Sequence, residues 1–148
     1  MEVRRASAED LRTIAELFDG YRQFYGQAPD RTLAQSFLRE RFAKDDSVVF
    51  LAADPESGEG LGFVQLYPSF SSVAAQRIWI LNDLFVSPTA RRGGVGRALL
   101  EAAREHAVKT GAKRVTLSTA VTNRRAQELY ETLGYTKDDE FLTYNLEL

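Results

Sequence analysis

Apolar residues are spaced along the chain in two alternating rhythms. Val3 to Ala6 reads as a short opening strand. Ser7, with Asp10 three residues on, is a helix-start signal of capping-box type. Leu11, Ile14, Phe18 and Tyr21 then recur at helical spacing, and Gly26 and Pro29 break the run. A second helix is predicted from Asp30 or Thr32 to Phe42, with Leu33, Phe37 and Leu38 turned inward. Ser47 to Ala53 and Leu61 to Tyr67 read as a hairpin around the turn at residues 54–60, followed by a loop from Pro68 to Ala75. Arg77 to Val86 is the longest apolar run and reads as a central strand stopped before Pro88. A helix follows from Gly94 or Gly96 to Thr110, with Val95, Leu99, Ala102, Ala103, His106 and Ala107 on its inward stripe and Gly111 as its end. Val115 to Thr119 reads as a strand and Asn123 to Leu133 as a helix ended by Gly134. Asp139 to Leu148 reads as a closing strand pair or one long strand. The order β-α-α-β-β-β-α-β-α-β predicts a single α/β (α+β) domain over residues 1–148.

Composition narrows the chemistry. A chain of 148 residues is about one domain on the usual scale. The absence of cysteine and the single His106 exclude a thiol nucleophile and a structural zinc site. Nineteen basic against twenty-one acidic residues leave no overall basic footprint for nucleic acid. The opening Met1-Glu2-Val3-Arg4-Arg5 is not an apolar leader, and no stretch approaches the ~18 apolar residues of a membrane span. The expected location is therefore the cytoplasm, with no membrane partner and no metal.

Arg91-Arg92-Gly93-Gly94-Val95-Gly96-Arg97 joins the longest strand to the strongest helix. Glycines let the backbone turn tightly and approach a ligand. Free N–H groups at a helix start suit a phosphate, and arginines add charged donors. No lysine follows Gly96, so this is not a P-loop; the third glycine of a dinucleotide fingerprint is also missing. A plain basic strand-to-helix turn is the alternative reading of the same residues.

The segment resembles motif A of the GNAT superfamily of acetyl-CoA-dependent N-acetyltransferases, whose Gln/Arg-x-x-Gly-x-Gly/Ala pattern matches Arg91, Gly94 and Gly96. Asp83-Leu84-Phe85-Val86 before Pro88 looks like the family's bulged fourth strand. Asn123, Ala126, Leu129, Tyr130, Gly134 and Tyr135 are similar to its motif B. A looser likeness, through Tyr67 to Ser72, Tyr21 to Tyr25 and Phe141 to Leu146, is to the spermidine/spermine and thialysine acetyltransferase branch and to bacterial relatives of yeast histone and polyamine acetyltransferases. The resemblance implies a mixed, mostly antiparallel central sheet with a splayed parallel strand pair, flanked by about four helices.

It also implies a chemistry. Acetyl-CoA would give its acetyl group to a primary amine by direct attack, through a tetrahedral intermediate. Arg91, Arg92, Gly93, Gly94, Val95, Gly96 and Arg97 would hold the pyrophosphate. Leu84, Phe85 and Val86 would form a bulge beside pantetheine, with a backbone N–H of Phe85 or Val86 polarising the thioester carbonyl. Tyr130 matches the family's general acid; a tyrosine near pKa 10 can protonate a thiolate whose conjugate acid lies near 8.5. A core aromatic is its alternative reading. Asn123 would bond the cofactor, cap the last helix, or do both.

The general base is less determined. Asn82 stands where the polyamine branch has glutamate, and asparagine takes no proton at neutral pH. Asp83 is the nearest carboxylate. Strand alternation points it away from the Asn82 face unless a bulge breaks the parity. A water chain or an already neutral amine is the alternative, and Asp83 would then be a buried structural carboxylate. His106, over two turns beyond Gly96, reads as a packed helix residue.

Tyr21, Arg22, Tyr25, Tyr67 and Asn82 are the candidate acceptor contacts, with Phe24, Phe70 and Trp79 as further aromatics and Asp19, Asp30 and Glu40 as nearby acids. Core packing and solvated charge are the plainer readings of most of these. The implied partner is a small polyamine, diamine or amino-acid-like amine, with a homodimer joined through the terminal strand. The rivals are a protein or peptide amine and a non-catalytic acyl-CoA-binding module.

Overall fold

A computed structural model describes residues 1–148, which comprise two compact units, Met1–Leu117 and Ser118–Leu148. In the first unit, β1 (Glu2–Arg5), β2 (Val48–Ala53), β3 (Gly60–Ser71), β4 (Gln76–Val86) and β5 (Val115–Thr116) form one sheet in sequence order. The first four strands pair antiparallel, and β4 pairs β5 in parallel. With helices α1 (Leu11–Phe24), α2 (Arg31–Lys44), α3 (Val95–Lys109) and, in the second unit, α4 (Arg124–Thr132), this is the expected mixed α/β architecture.

The helices start where their caps place them. The Asp10 carboxylate accepts from the Ser7 N–H at 2.9 Å and from Arg4 at 2.7 and 2.8 Å, closing a 3₁₀ turn that leads into α1. Asp30 caps α2 by accepting from the Leu33 N–H at 3.0 Å. Leu33 itself is exposed, contrary to its predicted inward place; α2 buries Ala34 and Leu38 instead. The core on this face joins Ile14, Leu17 and Phe18 of α1 with Leu38, Leu51, Phe63 and Phe85. On α3, Val95, Leu99, Leu100, Ala103 and Ala107 are buried.

Three elements depart from the pattern read in the sequence. β3 does not stop at Tyr67 but runs through Pro68 to Ser71. Pro68 faces Trp79, whose N–H bonds Arg114 O at 3.1 Å on the other side. The missing proline donor therefore faces the side where β2 has already ended at the Val48–Leu66 pair, and no ladder bond is lost. β5 has two residues rather than five. Residues 139–148 form no strand; Phe141, Leu142, Tyr144, Leu146 and Leu148 are exposed in a tail without regular secondary structure. Alternation alone does not make a strand, because a strand needs an edge to pair with.

Candidate active site

The central feature is a one-residue irregularity in β4. Gln65 pairs with Asp83, but the next residue, Leu66, pairs with Leu81, so Asn82 is the extra residue of a bulge. The bulge thus lies at Asn82 rather than at Leu84–Val86, which pair regularly with Val64, Phe63 and Gly62. Its effect is to change parity. Trp79 packs toward α3, where its Nε1 donates to Thr110 Oγ1 at 2.8 Å. In a regular strand Asp83 would share that face. After the bulge it shares the face of Gln65, Phe63 and Phe85, which packs on α1.

Asp83 is 2% exposed and Gln65 is fully buried. Gln65 Nε2 donates to Asp83 Oδ2 at 2.6 Å, and Asn82 Nδ2 donates to Oδ1 at 2.8 Å. Burial pushes the Asp83 carboxyl above its ordinary value, against hydrogen bonds from Asn82, Gln65 and Tyr21 that favour the ionised form. The Tyr21 hydroxyl donates to Asn82 O at 3.2 Å. Burial first, and then the Asp83 charge, raises both neighbouring phenols, Tyr67 to about 12 and Tyr21 further. Asp83, Asn82, Tyr21 and Tyr67 are therefore brought together, with Gln65 beneath them. Sequence reasoning missed Gln65; its signal was a lone polar residue inside the apolar run Phe63-Val64-Gln65-Leu66.

The other acceptor candidates divide. Tyr25 is exposed, with its ring edge-on to Tyr21 at 5.1 Å, and Arg22 lies half-buried in the last turn of α1. Trp79 is buried against His106, ring centroids 4.8 Å apart, so it belongs to the core. The surface acids have local work. Asp19 is buried and accepts from the Asp30 N–H at 2.9 Å, and Glu40 accepts from Lys44 at 2.7 Å. His106 is half-buried between Trp79 and Phe50, as a packed helix residue should be.

The glycine loop turns through two left-handed positions, Arg92 at φ 72° and Gly94 at φ 79°. Gly94 caps α3, and the Ala98 N–H is bonded to Gly94 O at 3.0 Å. The amides of Val95, Gly96 and Arg97 precede that bond and have no partner within the helix. An anionic diphosphate fits such a row of donors at a helix start. The arginines are more committed than expected. Arg91 Nε donates to Val86 O at 3.1 Å, its guanidinium lying 6.0 Å from the Phe24 and Phe85 ring centres. Arg97 pairs with Glu101 at 3.5 Å. A hollow of about 620 Å³ borders the loop, lined in part by Leu61, Thr89, Arg91, Gly93 and Val95. The parallel β4–β5 pairing ends at Ile80–Thr116, so the stretch from Leu81 to Val86 has no β5 partner along that edge. That opening fits an extended amide chain such as pantetheine.

In the second unit Asn123 accepts from the Ala126 N–H at 3.2 Å and caps α4. Tyr130 lies on α4, its ring 5.7 Å from that of Tyr135.

A sheet edge left open beside a glycine turn at a helix start suits a protein that binds an anionic, amide-bearing molecule, and comparison with known proteins names the class. The model of the acetyltransferase (GNAT) family matches residues 11–135. The chain is 49% identical over 146 residues to the uncharacterized N-acetyltransferase YhfO of Bacillus subtilis, covering 99% of this chain and 97% of that protein. It is 36% identical over 88 residues to the D-amino-acid N-acetyltransferase HPA3 of Saccharomyces cerevisiae, covering 60% of this chain and 55% of that one. A crystal structure of a probable acetyltransferase superposes with a TM-score of 0.94 at 42% identity, covering 100% and 98% of the two chains. The chain belongs to the GNAT family and is an N-acetyltransferase.

Proposed function

We propose that this enzyme moves acetyl from acetyl-CoA to the primary amine of a small polyamine, diamine or amino-acid-like molecule. The observation that carries the reading is the bulge at Asn82. It turns the Asp83 carboxylate to the β4 face that meets two half-buried tyrosines, Tyr21 of α1 and Tyr67 of β3, on the strand whose unpaired edge leads to the glycine loop. The D-amino-acid specificity in the name of the yeast relative and the likeness to the polyamine branch both support a small amine.

Acetyl-CoA, when bound, supplies the acetyl group as a thioester. The amides of residues 91–97 hold its diphosphate, the Leu84–Val86 edge takes the pantetheine, and Asn123 adds a polar contact. Asp83 accepts a proton from the acceptor ammonium, a role that a raised pKa strengthens. The Val86 N–H, which faces the unpaired edge, would donate to the thioester carbonyl, as oxyanion donors do; the Phe85 N–H is turned to Phe63 of β3, because Ser87 N–H bonds Leu61 O and the ladder alternates. Tyr130 would give its phenolic proton to the sulfur as the C–S bond breaks, and the second proton that the nitrogen sheds on becoming an amide would restore the phenol. Tyr21, Tyr67, Tyr25 and Arg22 surround the acceptor. Residues 1–148 act as one cytoplasmic catalytic domain. Two copies associate through the tail, where Leu142, Tyr144, Leu146 and Leu148 recur at strand spacing and are exposed. A concentration-independent monomer in sedimentation would remove the dimer.

A thiol-release assay with acetyl-CoA and a panel of polyamines, diamines, amino acids and peptides tests the substrate. Release with small amines is the expected result. Release with peptides alone would overturn it.

A further inference from the structure

We propose that Gln65 is a positioning residue that fixes the Asp83 carboxylate and keeps it ionised for the acceptor amine, a role that rests on Asp83 being the proton acceptor. A fully buried glutamine in an apolar strand needs a reason, since leucine would fill similar space without a polar cost. Its amide is half-used: Nε2 is bonded to Asp83 at 2.6 Å, whereas Oε1 is buried with no partner. The bond that is made runs to a carboxylate, and bonds to charged groups are the stronger kind.

The direction of that amide and the charge on Asp83 favour each other. With Nε2 toward Oδ2, the ionised carboxylate accepts the stronger bond and is favoured over the acid. With the amide reversed, Oε1 would face Oδ2, and only a protonated Asp83 could donate to it. Asn82 adds the same preference at Oδ1 through its own Nδ2. The groups facing Asp83 are Tyr21 from α1, Gln65 and Tyr67 from β3 and Asn82 from β4; Tyr25 bears on Tyr21, and Arg41 and Asp46 on Tyr67. None of the groups in direct contact is a cation, so amide and hydroxyl donors alone oppose the burial. The register adds a reason for the pair. Gln65 is the last β3 residue before the bulge, directly opposite Asp83, so backbone pairing sets the reach of its side chain.

The test is made on the whole chain by nuclear magnetic resonance. In the wild type, the Gln65 side-chain amide protons should move with pH at the same midpoint as the Asp83 carboxyl carbon. In Gln65→Leu, and in Gln65→Met should the first variant not fold, that midpoint should rise by about one to two pH units, the equivalent of a lost hydrogen bond to a charged group. The acid limb of kcat/KM should rise by the same amount, with KM for acetyl-CoA unchanged. Independent titration of the Gln65 amide in the wild type, or an unmoved Asp83 midpoint in a folded variant, would overturn the proposal. Full turnover by Asp83→Asn would instead remove Asp83 as the base and leave the amide coupling standing, so the two failures are distinct.

Discussion

Gly62→Ala should destabilise the protein through one backbone contact. Gly62 lies on β3 opposite Val86, where α3 packs closely on the sheet. A methyl group at this position would sit 2.7 Å from the Phe85 carbonyl oxygen, 3.1 Å from Val95 Cγ1 and 3.2 Å from Leu99 Cδ1. The two side chains can yield by tenths of an ångström, but the carbonyl belongs to a paired strand and moves only with β4. Overpacking of this kind costs about 1–3 kcal/mol. Alanine recovers about 0.4–1 kcal/mol by restricting the unfolded chain. The net loss is roughly 0–2.6 kcal/mol, or a fall in Tm of up to about 10 °C for a chain of this size, with the unyielding carbonyl placing it in the upper part of that range. Gly60→Ala is the matched control. Its methyl would also meet an atom at 2.7 Å, but that atom is Thr13 Cγ2, the end of a side chain, followed by Leu17 Cδ1 at 3.0 Å. Differential scanning calorimetry of both variants decides the matter. Gly62→Ala should melt well below Gly60→Ala, and it should lose turnover because Phe85 is displaced. Equal melting temperatures, or a larger loss at Gly60, would refute the distinction between a backbone and a side-chain neighbour.

Tyr130→Phe should lower kcat by about 10²–10⁴-fold, the usual contribution of a general acid, with acetyl-CoA affinity by calorimetry unchanged. Equal turnover would remove Tyr130 from the chemistry. Gly96→Asp puts a carboxylate in the first turn of α3, where the helix dipole favours it but a bound diphosphate does not; the variant should fold and lose CoA binding, and retained affinity would refute the loop assignment. His106 has its pKa lowered by burial first, then by Arg5 and Lys109, so its contribution to stability is complete above about pH 6.5, the unfolded value, and is lost as pH falls through the folded value. The wild type should therefore lose Tm on acidification from about pH 6.5 more steeply than His106→Gln; parallel profiles would contradict that linkage.

The four helices were legible because their apolar residues recur at 3.6-residue spacing and their ends carry Ser7, Asp30, Gly94 and Asn123. The glycine loop was legible for the same local reason. The bulge was readable only as a departure from alternation, and its place was not, because β4 is apolar on both faces from Leu84 to Val86 and gives no parity signal there. Pairing with Leu66 and Gln65 on another strand fixes it at Asn82. Leu33 fits a helical stripe as well as Ala34 does; packing against α1, which sequence spacing does not encode, decides between them. The C-terminal tail is the opposite case, an alternating pattern with no strand.

The insertion at Asn82 makes β4 two half-strands that answer to different masters. The upstream half is anchored through Trp79 to Thr110 and Arg114, and the downstream half through Phe85 to the core around α1. A single inserted residue acts as a half-turn coupling between them. Loss of that one residue would exchange the inside and outside of one half of the strand in a single step.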